Sequence, residues 1–288
     1  SCIISHYAYS TTMSHDGKRV ISFDVGIKNL AYCAAMVNAD HAWDIVQWGV
    51  IDLTGYSPLK CSECEKKATF HLNNTPLCGR HGKKGGGAKL PQGCANNLIR
   101  IKLKRLREIA TELGLSDALL EHKGKQAICD LLEQRINETC LVPVRPPKAA
   151  QMDMIDIGRQ MATQLDTLLM GGAVDVVLVE NQIGTIATRM RTIQGMIYQY
   201  FILRHPAATI LTISSSNKLK VSVPEQLSSK CQSFDTTTYA GRKKRGVAIV
   251  RSWLALRGDT VTLAVFESSR KKDDLADSLL QLVWYAQS

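Results

Sequence analysis

The sequence predicts an α/β layered domain interrupted by an inserted zinc-binding and helical module. Three observations predict it: a β-meander in the first fifty residues, strands alternating with helices in the second half, and a polar, cysteine- and glycine-rich stretch between them. With 288 residues the chain can bury a sizeable core, as one main domain carrying an insert.

The meander is read from VISFDVG, LAYCAAMV and AWDIVQWGVIDL, runs rich in β-branched and aromatic residues. Turn signals separate them at Gly26-Ile27-Lys28-Asn29 and Asn38-Ala39-Asp40. At Lys60 the character changes: CSECEKKATFHLNNTPLCGRHGKKGGGAKLPQGC is polar and basic and has few apolar residues. A helix pair follows, LIRIKLKRLREIATELGL and GKQAICDLLEQRINETC. The run Pro143-Val144-Arg145-Pro146-Pro147 reads as a stiff linker, because proline fixes φ and withholds a donor. Beyond it come a helix (AAQMDMIDIGRQMATQLDTLLM), a buried strand (VDVVLVEN), a helix from about Thr188 to Leu203 and a strand (ATILTISSS). A polar segment at 216–244, a basic helix (GRKKRGVAIVRSWLALRG) and a last helix (DDLADSLLQLVWYAQS) complete the pattern. The expected boundaries are 1–59 and 143–288 for the two parts of the main domain, 60–97 for the zinc-binding insert and 98–142 for the helical insert.

A formal net charge of +10 and a pI of about 9.2 give a field that draws polyanions, and nucleic acid is the expected partner. Residues 60–148 hold 17 of the 36 basic residues, so the insert is the expected nucleic-acid arm. The nine cysteines are odd in number, several lie in apolar runs and three have metal-ligand spacing, which fits a reducing intracellular compartment. No apolar run reaches the about 18 residues that span a bilayer, so no membrane partner is expected. The first residues show neither a secretory pattern nor an Arg-rich amphipathic one. Viral or cytoplasmic and organellar locations, the mitochondrion among them, stay open.

Acids stand where burial normally forbids them. Asp24 lies mid-strand, Glu180 closes the apolar run VDVVLVE, and Asp273, Asp274 and Asp277 head the last helix. Residues three and four apart share a helix face, so Asp277 can point to one spot with either Asp274 or Asp273. Singly, the helical acids read as partners of the helix dipole and Glu180 as a solvated strand end. Together they repel one another unless divalent cations neutralise them, and an all-oxygen set suits Mg²⁺, or Mn²⁺ in its place. Such a set suits two-metal hydrolysis of a phosphodiester.

FDVGIKNLAY, VLVENQIGTIATRMRTIQGMIYQYF and KKDDLADSLLQ resemble the three signature segments of the mitochondrial and poxvirus branch of the RuvC-like Holliday junction resolvases. The resemblance covers about residues 19–55 and 150–288. It implies an RNase H-like fold, with a mixed sheet opened by the meander and helices on both faces. It also implies a homodimer that binds a four-way DNA junction and makes paired symmetric nicks with Mg²⁺. Asp24, Glu180 and Asp277 fall on the acidic positions of that family; the fourth is Asp274 by a three-residue spacing or Asp273 by a four-residue one. Other branched or hybrid substrates, or a non-catalytic DNA-binding scaffold, are the alternatives.

Gly26 lets the chain turn closely, and Lys28 can meet a phosphate oxygen. Gln182, Arg189 and Arg191 are candidate phosphate contacts, and guanidinium geometry suits that task. Lys218, in SSSNKLKV, is a candidate catalytic lysine with a role that some relatives give to a lysine in this region, and Lys220 a candidate DNA contact; a solvated surface is the alternative for both. Arg242, Lys243, Lys244 and Arg245 form a basic patch at a helix start, suited to the DNA backbone.

Cys61-x2-Cys64, thirteen residues and Cys78-x2-His81 form a strong structural Zn²⁺ pattern, with His71 and Cys94 as spare candidates. The helix pair after it resembles a SAP motif, which implies DNA binding through Lys102, Lys104, Arg105, Lys123 and Lys125. Known mitochondrial relatives carry such a unit near the N-terminus, whereas here it lies inside the catalytic domain.

Overall fold

A computed structural model describes residues 17–94, 97–116, 123–170, 172–182, 188–223 and 234–288. The first sixteen residues, the link between the two helices of the basic arm, the stretch around Gly184 and the middle of the polar segment at 216–244 lie outside the described residues. The strands are β1 Lys18–Asp24, β2 Leu30–Val37, β3 Trp43–Ile51, β4 Phe70–Leu72, β5 Thr75–Leu77, β6 Ala88–Lys89, β7 Cys140–Pro143, β8 Val176–Glu180 and β9 Thr209–Ile213. The chain divides into two compact units, residues 1–55 with 148–288, and residues 56–147.

The larger unit is built on a mixed five-stranded sheet of order β3-β2-β1-β8-β9. β1, β2 and β3 pair antiparallel as a meander, while β8 lies parallel to β1 and β9 parallel to β8. Both faces are covered. Strand alternation sends Val20 and Ser22 to one face and Ile21 and Phe23 to the other. Ile21 and Phe23 pack with Ile157, Met161 and Leu165 of helix Met154–Leu168 and with Ile193, Ile197 and Phe201 of helix Thr188–Arg204. Val20, Val176 and Leu178 pack with Ile249, Val250 and Trp253 of helix Tyr239–Leu256 and with the apolar side of helix Lys272–Ala286. β8 is therefore buried on both faces, which explains its unbroken apolar run.

The last helix is the most deeply placed, buried at every residue from Asp274 to Val283. Two polar contacts fix its register on the sheet. The Ser22 hydroxyl donates to the Ser278 carbonyl at 2.6 Å, and the Trp48 indole N–H donates to the Leu275 carbonyl at 3.1 Å. Trp48 also stacks on Phe266, 5.3 Å between centroids, in a helix at Thr260–Ser268 that the sequence reading did not contain. That helix starts where Asp259 accepts from the Thr262 N–H.

The smaller unit has its own mixed four-stranded sheet of order β5-β4-β7-β6, also absent from the sequence reading. Helices Leu103–Glu112 and Lys125–Thr139 supply its core, with Leu106, Ile109, Ile128 and Leu132 fully buried. The expected linker needs correction at its start. Pro143 ends β7 opposite Phe70, because residues 140–143 continue out of the preceding helix as a strand. Among the described residues no helix is long and apolar enough to cross a membrane.

Candidate active site and metal cluster

β1 and β8 run parallel with Phe23 opposite Val179, so Asp24 and Glu180 follow at the ends of neighbouring strands. Both sit on the sheet face that helix Lys272–Ala286 covers. That helix brings Asp274, Asp277 and Gln281 along one stripe at spacings of three and four. Asp24, Glu180, Asp274 and Asp277 all line a single cavity of about 650 Å³, shared with Gln182, Ser215, Ser216, Lys218, Tyr239, Arg242, Lys243 and Arg245. Strand ends and the last helix contribute the acids, whereas helix Tyr239–Leu256 and the 215–219 turn contribute the cations.

Two glycines make the close approaches possible. A Cβ at Gly26 would lie 2.7 Å from the Asn29 carbonyl oxygen, so the turn after Asp24 admits no side chain. A Cβ at Gly246 would lie 3.2 Å from Leu280 Cδ1 and 3.9 Å from Asp277 Oδ1, so glycine lets helix Tyr239–Leu256 press against the acid-bearing helix.

The electrostatics are those of crowded, buried carboxylates. Burial, then the hydrogen bond and charge of Glu180, push the Asp24 carboxyl well above its ordinary value. Burial also raises Asp277, with Lys218 working against the rise and Glu180 adding to it. The Lys218 ammonium bridges the pair, 2.6 Å from Asp277 Oδ2 and 3.3 Å from Glu180 Oε1. Burial alone would discharge it, but Asp277, Glu180 and Asp24 outweigh that and hold its pKa above the usual lysine value. An ammonium between two carboxylates marks a place where this chain attracts a cation, and the oxygen-only donor set fits a hard divalent ion.

Asp274 lines the cavity and Asp273 does not, and both are held by Lys243, at 3.3 and 2.6 Å. Burial opposes the charge on Lys243, yet hydrogen bonds to Asp273 and Tyr239 raise its pKa. Lys243, expected from sequence to contact DNA, is paired here with two acids. Arg189 is engaged too, donating to the carbonyls of Met152 at 2.5 Å and Ala149 at 3.2 Å. Arg242 donates to the carbonyls of Thr236 and Thr237 while lining the cavity. Arg245 also lines it, and its Nε is buried without a partner among the described residues. Gln182 reaches the cavity with its backbone N–H donating to Gln194 Oε1. Lys28 is half-buried in its turn, and Arg191, Lys220 and Lys244 are exposed. Gln281 escaped the sequence reading: it is fully buried, its Nε2 faces Glu180 Oε2 at 3.4 Å, and its Oε1 has no partner among the described residues. Its spacing of four from Asp277 was the available signal.

In the smaller unit, Cys61, Cys64, Cys78 and His81 form a cluster able to hold a metal ion, with all four ligand atoms within 4.8 Å of one another. Cys61 Sγ lies 3.4 Å from His81 Nδ1, and Cys64 Sγ lies 3.9 Å from Cys78 Sγ. Burial works against ionising Cys61, but hydrogen bonds from Cys78 and His81 pull its thiol below the ordinary 9.0. The His81 backbone N–H leads the same effect at Cys78. Among the described residues, the apolar side chains packed with these cysteines are Leu77, 6% exposed, and the partly buried Leu72, so little else holds the knuckle together. His71 sits on β4 and Cys94 lies half-buried beside the helical core, and neither joins the set. Of the basic residues expected on this arm, Lys102, Lys104 and Lys123 are exposed and Lys125 is half-buried. Arg105 is paired with Glu108 at 3.1 Å and Glu112 at 2.9 Å.

No family model matches the chain. An uncharacterized protein of Acanthamoeba polyphaga mimivirus is 24% identical over 314 residues, which cover 93% of this chain and 74% of that protein. Among solved structures, the chain is similar to the yeast mitochondrial Holliday junction resolvase Ydc2. That likeness has 17% identity and a TM-score of 0.43, over 94% of this chain and 80% of the other.

Proposed function

We propose that this chain is a metal-dependent DNA endonuclease of the RNase H-like class that resolves four-way junctions by paired nicks. The observation that carries the proposal is the shared cavity, where four carboxylates from β1, β8 and the last helix meet cations from helix Tyr239–Leu256 and the 215–219 turn. A phosphodiester needs both: oxygens that hold divalent cations, and side chains that receive its negative oxygens. The strand order β3-β2-β1-β8-β9, with three antiparallel strands joined to two parallel ones, is the arrangement expected of that class, and the three sequence segments support the same reading.

Asp24, Glu180, Asp274 and Asp277 would hold a pair of Mg²⁺ or Mn²⁺ ions, which when bound supply a reactive water and Lewis acidity at the phosphate. The chain's own groups do the rest. Arg242 and Arg245 offer guanidinium donors to a phosphate entering the cavity. Lys218 keeps Glu180 and Asp277 together and places an ammonium where negative charge grows. Gln281 holds Glu180 from the buried side, where no water competes. Cys61, Cys64, Cys78 and His81 would hold one structural Zn²⁺, since all four tetrahedral positions come from protein. The exposed basic residues of the same unit would add affinity for the DNA backbone. A homodimer would supply the two active sites that symmetric nicking requires.

The test is cleavage of a synthetic mobile four-way junction beside a matched linear duplex and a flap, with Mg²⁺ or EDTA, for wild type and Asp24→Asn. Symmetric nicks on the junction alone, lost in EDTA and in the variant, are expected. Cutting of all three substrates would reduce the protein to a general nuclease, and binding without cutting would leave a scaffold.

A further inference from the structure

The acids of the cavity are not equally supplied with counter-ions. Lys218 spans Glu180 and Asp277. Asp274 is served by two different lysines, one at each oxygen: Lys243 Nζ lies 3.3 Å from Oδ1 and Lys271 Nζ lies 3.6 Å from Oδ2. Lys243 is also anchored on the far side, 2.6 Å from Asp273 Oδ2, and its ammonium lies 5.4 Å from the centre of the Tyr239 ring one turn earlier on its helix. Asp274 itself is buried, 9% exposed, so water does little to screen these contacts.

We infer that Lys243 is a resident counter-ion of Asp274 that keeps one of the two cation places in the acid site from filling until a nucleic-acid phosphate draws the ammonium away. The inference rests on the two-cation reading above and goes beyond it by naming what controls loading. An ammonium and a divalent ion compete for the same carboxylate oxygen, because Mg²⁺ requires its oxygens at about 2.0–2.1 Å in a nearly fixed octahedron. An ion seating on Asp274 Oδ1 therefore meets the Lys243 charge a few ångströms away and binds less tightly while Lys243 stands there. Lysine suits a removable counter-ion: its charge is a point on a flexible four-carbon stem, with no fork to lock it to one partner. Tyr239 and Lys243 both line the cavity, so an entering phosphate meets the ammonium directly. Moving Lys243 onto phosphate frees Asp274 for a metal ion and neutralises the substrate in one step. Metal and DNA then bind cooperatively, and by linkage each raises the affinity of the other.

The experiment counts Mn²⁺ bound to the full chain without DNA, by electron paramagnetic resonance of the free ion, after dialysis into resin-treated buffer. Wild type, Lys243→Gln, Lys243→Arg and Asp24→Asn are compared, with thermal melting as the check on folding. If the Gln variant does not fold, Lys243→Met, which keeps the apolar stem, replaces it. Wild type and Lys243→Arg are expected to bind one ion tightly and a second only weakly. Lys243→Gln is expected to tighten the second ion by about tenfold or more, within the usual range of such couplings. An unchanged or weaker second ion in the Gln or Met variant overturns the inference while leaving the metal site intact. Absence in wild type of any ion that Asp24→Asn abolishes overturns the two-cation reading and the inference with it.

Discussion

Asp24 and Glu180 end adjacent parallel strands, and the Glu180 carboxyl is near enough to push that of Asp24 upward. In the metal-free chain this is a liability. The native pKa of Asp24 lies above the ordinary 3.8, so the folded state binds the proton more readily than the unfolded one. Its contribution to stability is present in acid and is lost as pH rises from 3.8 toward the native value. Asp24→Asn removes the charge and keeps the shape. The metal-free variant is expected to melt above wild type at pH 7, by about 2–4 °C for each kcal/mol relieved. Mg²⁺ should raise the melting temperature of wild type and not of the variant, and cleavage should fall by about 10³-fold or more. A variant that melts below wild type without metal would show that Asp24 has a structural partner instead.

Lys218 is the counterpart of that strain. Lys218→Met leaves Glu180 and Asp277 buried without the ammonium that bridges them, which costs about 3 kcal/mol in the absence of metal. Cleavage should drop by about 10²- to 10³-fold, with junction affinity changed little. The two readouts to compare are a melting curve and a gel-shift titration at fixed salt; equal losses in cleavage and binding would make Lys218 a DNA contact.

Gly246 tests the packing that brings the cations to the acids. In Gly246→Val the Cβ alone reaches 3.2 Å from Leu280 Cδ1, and two further methyls must be fitted at a buried position. The expected cost is about 1–3 kcal/mol of stability, with cleavage reduced because the helices part. Gly246→Ala should be milder in both respects, and a neutral Val variant would mean that the two helices are not tightly apposed.

The cysteine cluster should hold about one zinc per chain, measured by elemental mass spectrometry on purified protein. Cys78→Ser is expected to lose it, while Cys94→Ser keeps it, since Cys94 stands outside the four-ligand set. Retention of zinc in Cys78→Ser would move the ligand set elsewhere.

The meander, the α/β alternation and the pairing of acids on the last helix were legible because each is a local pattern. Asp24 in an apolar run and Asp274 or Asp273 with Asp277 on one helix face are visible in a dozen residues; Asp24 ends its strand instead of lying within it, and Asp24, Asp274 and Asp277 line one cavity. Helix Thr260–Ser268 was not legible. TVTLAVFES is rich in β-branched residues and reads as no helix, and the Asp259 cap with Phe266 stacked on Trp48 decides it. The second sheet escaped for another reason, since strands of two to four residues are too short to show a period. The pairing of Lys243 with Asp273 and Asp274 joins residues thirty positions apart and follows only from two helices lying together. Sequence could register the charge of Lys243 but not its partner.

The acids that meet in the cavity come from the first strand, the eighth and the last helix. During translation, therefore, Asp24 leaves the ribosome some 250 residues ahead of Asp277 and waits without its neighbours. Domains fold as units as they emerge, and the buried helix that seats on Ser22 and Trp48 emerges after every described strand of the sheet. A nascent chain halted before residue 272 lacks Asp274 and Asp277 and cannot assemble the four-acid cavity. On the proposed function, the order of synthesis serves as a safety catch: the four acids come together only once the helix that covers this face of the sheet has been made.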